Sequence, residues 1–197
     1  MKPIETKRLI LRPFELERDA AFLLEALNEP DFIENVADKG VRTVEQADDY
    51  IRAKFLPGHE RYGVGYCVVE LKESRVPIGT CGLQKRETLD DFDIGYSMLR
   101  RFSGNGYAFE AAAALMDYGR RELGLKRIIG LTSMTNAKSA HLLEKLGLRF
   151  ERPGRCSIRL EPLCGPRDQC SGTSSWRISI SRHRHCSLSH ARCRSCD

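Results

Sequence analysis

The stretch 98-MLRRFSGNGYAFEAAAALMDYG-119 runs from an alternating, strand-like segment through two arginines and a Ser-Gly-Asn-Gly turn straight into an alanine-rich helix. A glycine pair ahead of a helix start lets backbone N–H groups approach a ligand closely, and helix N-termini favour anions, phosphates above all. Arg100 and Arg101 place cations beside that turn. Taken alone, the loop fits both a phosphate cradle and a plain tight turn flanked by solvated arginines, so its surroundings decide. A Walker loop would end in Gly-Lys-Ser/Thr, where Gly106-Tyr107-Ala108 stands. A dinucleotide fingerprint would need a third glycine at Phe109 and an acid at Ser133. Neither pattern fits.

Upstream of the loop, residues 8–14 (RLILRPF) alternate as a strand, and ELERDAAFLLEALNEP reads as a helix with Ala20, Leu23, Leu24 and Leu27 on its apolar side, stopped by Pro30. Thr43 and Gln46 have capping-box spacing for a second helix through about Phe55, ended by Pro57-Gly58. Strands are expected at 63–71, 77–84 and 92–99, close enough in sequence for an antiparallel meander. Downstream, the helix 107–123 aims Ala108, Ala111, Ala112, Leu115, Gly119 and Leu123 at a sheet. Residues 127–133 form an apolar strand of the kind buried on both faces, Asn136 caps a last helix, and Gly147 ends it. The order β-α-α-β-β-β-α-β-α, with β-structure expected to follow, predicts an α/β (α+β) domain.

The net charge of +5 is not spread evenly. Through Arg152 there are 24 Lys plus Arg against 24 Asp plus Glu, whereas residues 153–197 hold 8 Arg and no Lys against 3 acids. Basicity is thus a property of the tail, and nucleic-acid binding by the folded part is not indicated. Six of the eight cysteines also lie beyond residue 152, while Cys67 and Cys81 read as small buried hydrophobes. The expected division is a domain at 1–152 and an atypical Arg/Ser/Cys/His-rich tail at 153–197, read as translation outside the ancestral frame. No apolar run is long enough to span a bilayer and the first residues do not read as a secretory signal, so a cytoplasmic address is the expectation.

Several motifs occur together and in order: Glu5-Thr-Lys-Arg-Leu-Ile-Leu-Arg, Ile94-Gly-Tyr, Arg101-x-x-Gly104-x-Gly106, Gly104-Asn-Gly-Tyr-Ala-Phe-Glu-Ala, and Asn136-Ala-Lys-Ser139 running to Glu144-Lys-Leu-Gly147. Over residues 4–152 they resemble the GNAT N-acetyltransferases, most closely the ribosomal-protein N-terminal acetyltransferase (RimJ/RimL-like) branch. The resemblance implies the GNAT fold, a mixed, mostly antiparallel sheet flanked by helices, with acetyl-CoA as co-substrate. It further implies that the strand near Met98, Leu99 and Arg100 splays from its neighbour to admit the pantetheine arm. Arg101, Phe102, Ser103, Gly104, Asn105, Gly106, Tyr107 and Ala108 would then hold the pyrophosphate. Asn136 and Ser139 would meet the pantetheine and the sulfur.

Acetyl transfer to an amine needs a base for the ammonium, a polarised thioester and a proton for the thiolate. Asp93 stands where close relatives often carry Glu and is the candidate base. Many family members place a tyrosine acid where Leu143 stands, which leaves Ser139 as the candidate hydroxyl. No role is expected for His141, facing solvent, or for His59, placed in a loop, and Glu110 reads as structural. The acceptor is a primary amine, on a peptide N-terminus or a small molecule, and the protein a monomer or homodimer. Two rival readings are a catalytically weakened CoA-binding protein and a nucleic-acid-binding module built on the basic tail. Cys193-x-x-Cys196 near His183, His185 and His190 is a weak zinc pattern, and no metal is assigned. Two further strands are expected after Leu146: residues 148–160 can supply the first, and within the tail Trp176, Ile178 and Ile180 are expected to supply the final one, which closes the sheet beside 127–133.

Overall fold

In the computed structural model, residues 1–133, 135–152 and 155–159 are described, within a compact unit spanning Met1–Cys164. The chain begins with β1 (Ile4–Glu5) and β2 (Leu9–Pro13), followed by α1 (Ala20–Asn28), which buries Ala20, Phe22, Leu23, Ala26 and Leu27. Pro30 stops α1 as expected and also opens α2 (Pro30–Asn35), since a first-turn proline forfeits no intrahelical hydrogen bond. The capping box forms: Thr43 Oγ1 accepts from Gln46 N (3.2 Å), and Gln46 Oε1 accepts from Thr43 N (3.3 Å), starting α3 (Val44–Tyr50). The helical path does not end at Pro57-Gly58. A π-helical turn (Ile51–Phe55) carries it into α4 (Leu56–Tyr62), where Pro57 sits in the first turn and lacks only an N–H that needs no partner. His59 therefore lies in a helix rather than a loop.

The meander follows as β3 (Tyr66–Leu71), β4 (Pro77–Lys85) and β5 (Phe92–Met98), then a short 3-10 turn (Arg100–Phe102) and α5 (Tyr107–Arg121). The remaining elements are β6 (Arg127–Leu131), α6 (Ala137–Lys145), β7 (Arg149–Arg152) and β8 (Arg155–Arg159). Eight strands make one sheet in the order β1-β2-β3-β4-β5-β6-β8-β7, antiparallel throughout except between β5 and β6. Ile128 and Ile129 of β6 are fully buried as expected, but Leu131 at its end is not. The place beside β6 belongs to β8, in register Ile128↔Ile158, so residues 155–159, within the stretch read as tail, close this part of the sheet. The Trp176–Ser181 segment expected there, and the Cys/His cluster, lie outside the described residues.

The period of two along each strand divides the core. On one face α5 and α6 press Ala111, Ala112, Leu115 and Leu143 against Leu9, Leu11, Cys67, Val69, Cys81, Leu83, Ile94 and Ile128. On the other face α1, α3 and the π turn gather Leu23, Ala47, Ile51 and Phe55 around Phe14 and Val68. Cys67 and Cys81 are opposite each other in the β3–β4 ladder and fully buried, and burial pushes the Cys67 thiol up to about 12 and raises that of Cys81 as well.

Arg12 joins β2 and β3 to the start of α1. Its guanidinium donates to both oxygens of Asp19 (2.7 Å each) and, through Nε, to Glu70 Oε1 (2.8 Å). All three side chains are buried. Burial works against the arginine charge, yet the hydrogen bonds it donates to Asp19 and Glu70, with their negative charges, outweigh it and raise its pKa. Removing the guanidinium would leave two buried carboxylates without their main counter-charge, a loss of about 3–5 kcal/mol.

His59 Nε2 lies 2.8 Å from the Tyr66 carbonyl oxygen, so this nitrogen carries the proton, while Nδ1 is buried with no hydrogen-bond partner among the described residues. Burial lowers the imidazole pKa, against the smaller raising effect of that hydrogen bond. The unfolded chain therefore takes up a proton near pH 6.5 that the native state refuses, and stability falls as pH drops below about 6.5 towards the depressed native value. We expect His59→Gln to flatten this part of the stability curve, measured as the wild-type minus variant difference in urea midpoint from pH 7.5 to 5. The closure of β6 by β8 gives a second expectation: a chain ending at Cys164 unfolds cooperatively and elutes as one species. One ending at Arg152 bares the edge of β6 and aggregates on size-exclusion chromatography.

Candidate active site

The parallel strands β5 and β6 pair at two positions, Phe92↔Ile128 and Asp93↔Ile129, and then diverge. Leu99 N donates to Ile78 O (2.9 Å), which makes Met98↔Gly79 a wide pair and turns the main-chain groups of 97, 95 and 93 towards β4. By alternation, Tyr96 and Met98 direct N–H and C=O into the opening between β5 and β6. The result is a fork with peptide groups along one wall, the splaying expected near Met98.

Asp93 is the last residue of β5 paired with β6 and is 2 % exposed. Its Oδ2 accepts from Arg86 Nε and Nη2, both at 2.7 Å, and its carboxylate also takes the Leu131 N–H, two residues beyond its ladder partner. The side chain thus bridges the strands where the main-chain ladder stops. Burial raises its pKa, only partly offset by Arg86.

On the same face as Asp93, Tyr66 lies across a lane of two glycines. Gly82 is the ladder partner of both Tyr66 and Gly95. A Cβ on Gly82 would meet Tyr66 Cγ at 2.7 Å, and one on Gly95 would collide with the Tyr66 hydroxyl. Phe55 stacks on the ring at 5.0 Å between centroids. Burial raises the Tyr66 pKa, and the charge of Asp93 raises it further, so the phenol is neutral and close to the carboxylate.

Tyr96 points to the opposite face of β5 and meets the first turn of α6. Its hydroxyl is 3.0 Å from Ser139 Oγ and donates to Ser139 O at 3.2 Å. Asn136 caps α6 as expected, its Oδ1 accepting from Ser139 N at 3.0 Å. These contacts bridge the arms of the fork, because α6 is carried by β6. Leu143 is buried in the core, where a Cβ on Gly130 would touch it at 2.7 Å, so its side chain faces away from the chemistry.

At the mouth of the fork, Gly104 (φ 82°) and Gly106 (φ 78°) adopt the left-handed conformation that favours glycine, and a Cβ on Gly104 would have nothing within 4 Å. Phe102 N and Ser103 N are committed to the 3-10 turn, donating to Leu99 O (2.8 Å) and Arg100 O (3.1 Å). The first intrahelical bond of α5 at this end runs from Glu110 N to Gly106 O, so the N–H groups of Tyr107, Ala108 and Phe109 have no acceptor within the helix, and among the described residues no side chain caps this end. Asn105 Nδ2 donates to Phe102 O (3.2 Å) and Ser103 O (3.3 Å), fixing the turn.

The cations near this turn come from three arginines on two segments of the chain. Arg101 forms an ion pair with Glu25 of α1 and covers the Phe102 ring, while the Arg100 N–H faces Glu29 Oε1 at 3.3 Å. Beside Gly106 stands Arg8 instead, whose Nη1 donates to Asn105 O (3.0 Å), whose Nε pairs with Glu110 (2.7 Å), and whose guanidinium lies over Tyr107. Glu110 also accepts from Thr6 Oγ1 (2.7 Å) and Arg8 N (2.9 Å), the structural role read from its place in the first turn. His141 is exposed. Arg8, Tyr66, Arg86 and Tyr96 were not singled out in the sequence. Arg8 and Tyr96 lie inside quoted motifs, but their neighbours are more than forty residues away in sequence.

Residues 8–149 match the family model described as an acetyltransferase (GNAT) domain. Among relatives, the uncharacterized protein YkkB of Bacillus subtilis is 33% identical over 150 residues, 75% of this chain and 85% of that protein. An uncharacterized N-acetyltransferase of Bacillus licheniformis is 32% identical over 152 residues, 77% and 84% of the two chains. Among solved structures, RimL, a ribosomal α-N-protein acetyltransferase in complex with coenzyme A, superposes with a TM-score of 0.71 at 15% identity, over 81% of this chain and 98% of its own. That last likeness is one of fold. With its forked sheet and uncapped helix start behind a glycine turn, this chain belongs to the GNAT acetyltransferase family and is an acyltransferase.

Proposed function

We propose that the protein transfers the acetyl group of acetyl-CoA to the nitrogen of a primary amine, on a protein N-terminus or a small molecule. The observation that carries this reading is the fork between β5 and β6, which has uncapped helix amides at its mouth and a buried carboxylate at its closed end. The diphosphate is assigned to the N–H groups of Gly104, Asn105, Gly106, Tyr107 and Ala108. Phe102 and Ser103 shape the turn, because their own N–H groups are already bonded. Arg8 supplies the adjacent cation, and Arg100 and Arg101 line the approach. The pantetheine runs along Met98 and Leu99 with Asn136 at its side, and the main-chain N–H groups of the β5 wall polarise the thioester.

Asp93 is proposed as the proton acceptor for the incoming ammonium. It is too enclosed for direct contact, so the proton travels through a water or through the neighbouring Tyr66 hydroxyl. Its raised pKa brings the carboxylate nearer the working range of a base, and Arg86 orients it. Ser139 is proposed as the hydroxyl at the departing sulfur. The relatives leave the acceptor open, and the basic tail plays no part in this assignment.

Two experiments test the reading. Acetyl-CoA at about a hundredfold excess over Kd is expected to raise the unfolding temperature by about 5–10 °C. Gly104→Val and Gly106→Val should abolish the shift by crowding the cradle. Gly124→Val carries a similar left-handed strain (φ 63°) at the other end of α5 and should retain it. Equal shifts in all four proteins would remove the loop from the binding site. For the base, Asp93→Asn is expected to lower kcat by about 10²-fold or more near neutral pH, with the KM for acetyl-CoA little changed. The wild-type rate should fall as acidification protonates Asp93. A variant as active as the wild type at every pH would leave Asp93 only its bridging role.

A further inference from the structure

The family tyrosine acid is replaced by the buried Leu143, yet a tyrosine hydroxyl stands at the fork on a different element. From this geometry we infer that Tyr96 and Ser139 form a two-hydroxyl proton relay, Tyr96 replenishing the proton that Ser139 gives to the departing thiolate. The inference rests on the acetyl-transfer reading above and names a residue and a pathway within that site.

Three observations carry it. The two hydroxyls are 3.0 Å apart, within hydrogen-bond reach. The contact spans the two arms of the fork, from a residue three positions past the last β5–β6 pair to the first turn of the helix that follows β6. Ser139 is also held from behind by its N–H on the Asn136 cap, so Oγ is presented at a defined place, and the single Tyr96 proton, which reaches Ser139 O at 3.2 Å, has Oγ at 3.0 Å as its alternative acceptor during the relay. Tyr96 itself is only half-buried, which leaves it a route to solvent.

The chemistry explains why one hydroxyl is insufficient. An ordinary thiol has a pKa of about 8.5 and an ordinary phenol about 10. An aliphatic hydroxyl is closer to water, at about 15.7. A lone serine would have to become an alkoxide to protonate a thiolate, steeply uphill, whereas a serine that receives a phenol proton as it gives its own ends the step neutral. When the tetrahedral intermediate collapses, the C–S bond breaks and its electron pair goes to sulfur. Sulfur takes the proton of Ser139 Oγ, Ser139 Oγ takes the proton of Tyr96 Oη, and the phenolate regains a proton from water before the next turnover. The acceptor nitrogen loses its proton on the opposite face of β5, towards Asp93, so the two transfers do not compete for one group.

The test uses the full-length protein with acetyl-CoA and an amine acceptor found by screening for thiol release. Tyr96→Phe and Ser139→Ala should each lower kcat by about 10- to 100-fold, with the KM for acetyl-CoA within twofold of wild type. The double variant should be no slower than the slower single variant, because both changes break the same relay. Rates in H2O/D2O mixtures should give a curved proton inventory for the wild type and a straight one for each variant, a difference that mere loss of packing would not produce. The relay is overturned by a wild-type rate in Tyr96→Phe, by multiplicative losses in the double variant, or by a straight wild-type inventory. If Tyr96→Phe fails to unfold cooperatively, the wild-type and Ser139→Ala inventories decide alone. A wild type that binds acetyl-CoA but releases no thiol with any amine would overturn the acetyl-transfer reading instead.

Discussion

Two strands that run parallel and stay paired for only two residues set the terms for everything else in this molecule. A parallel pair needs a long crossover, which here is α5, and a crossover packed on the sheet must start near the end of β5. The chain therefore has to reverse from strand to helix within the 99–106 segment, and the two left-handed glycines with the short 3-10 turn are the local solution. The helix start then lies at the mouth of the fork. Neither feature would serve without the other: a fork with no amides at its mouth has nothing to hold a phosphate, and an uncapped helix beside a closed sheet has nowhere to lead it.

Holding a sheet open is costly, and side chains rather than main chain keep this one in shape. At the closed end, Asp93 accepts from Leu131 where the ladder stops; further out, Tyr96 and Ser139 bond across the gap on the other face. The groups that brace the fork are thus the groups assigned to its chemistry. Farther off, the Arg12–Asp19–Glu70 cluster anchors α1 to β2 and β3, and the Tyr66 ring on its glycine lane fixes how closely Phe55 and the π turn approach the sheet. A rigid acceptor face and a braced opening come from different residues, so each can vary without collapsing the other.

Much of this was legible in the sequence for a simple reason: local signals were strong where structure is local. The Thr43/Gln46 capping box, the Asn136 cap, the apolar stripe of α5 and the glycine pair each depend on residues a few positions apart, and each formed. Pro57 misled because a proline stops a helix only where its missing N–H was needed, and the π turn had already restarted the count. The ion pair of Arg101 was not legible because its partner, Glu25, is 76 positions away, and no spacing rule reaches that far. The same distance hid Arg8, Tyr66 and Tyr96, whose partners arrive from other elements. Strand structure at 148–160 is legible, but the chain folds it into two strands, β7 and β8, and β8 takes the place beside β6 that the apolar run near Trp176 was expected to fill.

The opposed cysteines at the centre of the sheet give the molecule a property unrelated to catalysis. Cys67 and Cys81 are sealed from solvent, and their thiols are held in the protonated form by burial. Alkylating reagents attack thiolates, so in the native state these two positions are doubly shielded, by access and by ionisation. Each becomes an ordinary reactive thiol only when the β3–β4 ladder parts. Their labelling, resolved from that of the tail cysteines by peptide mass, is therefore a built-in clock for the opening of the sheet, readable without any introduced probe.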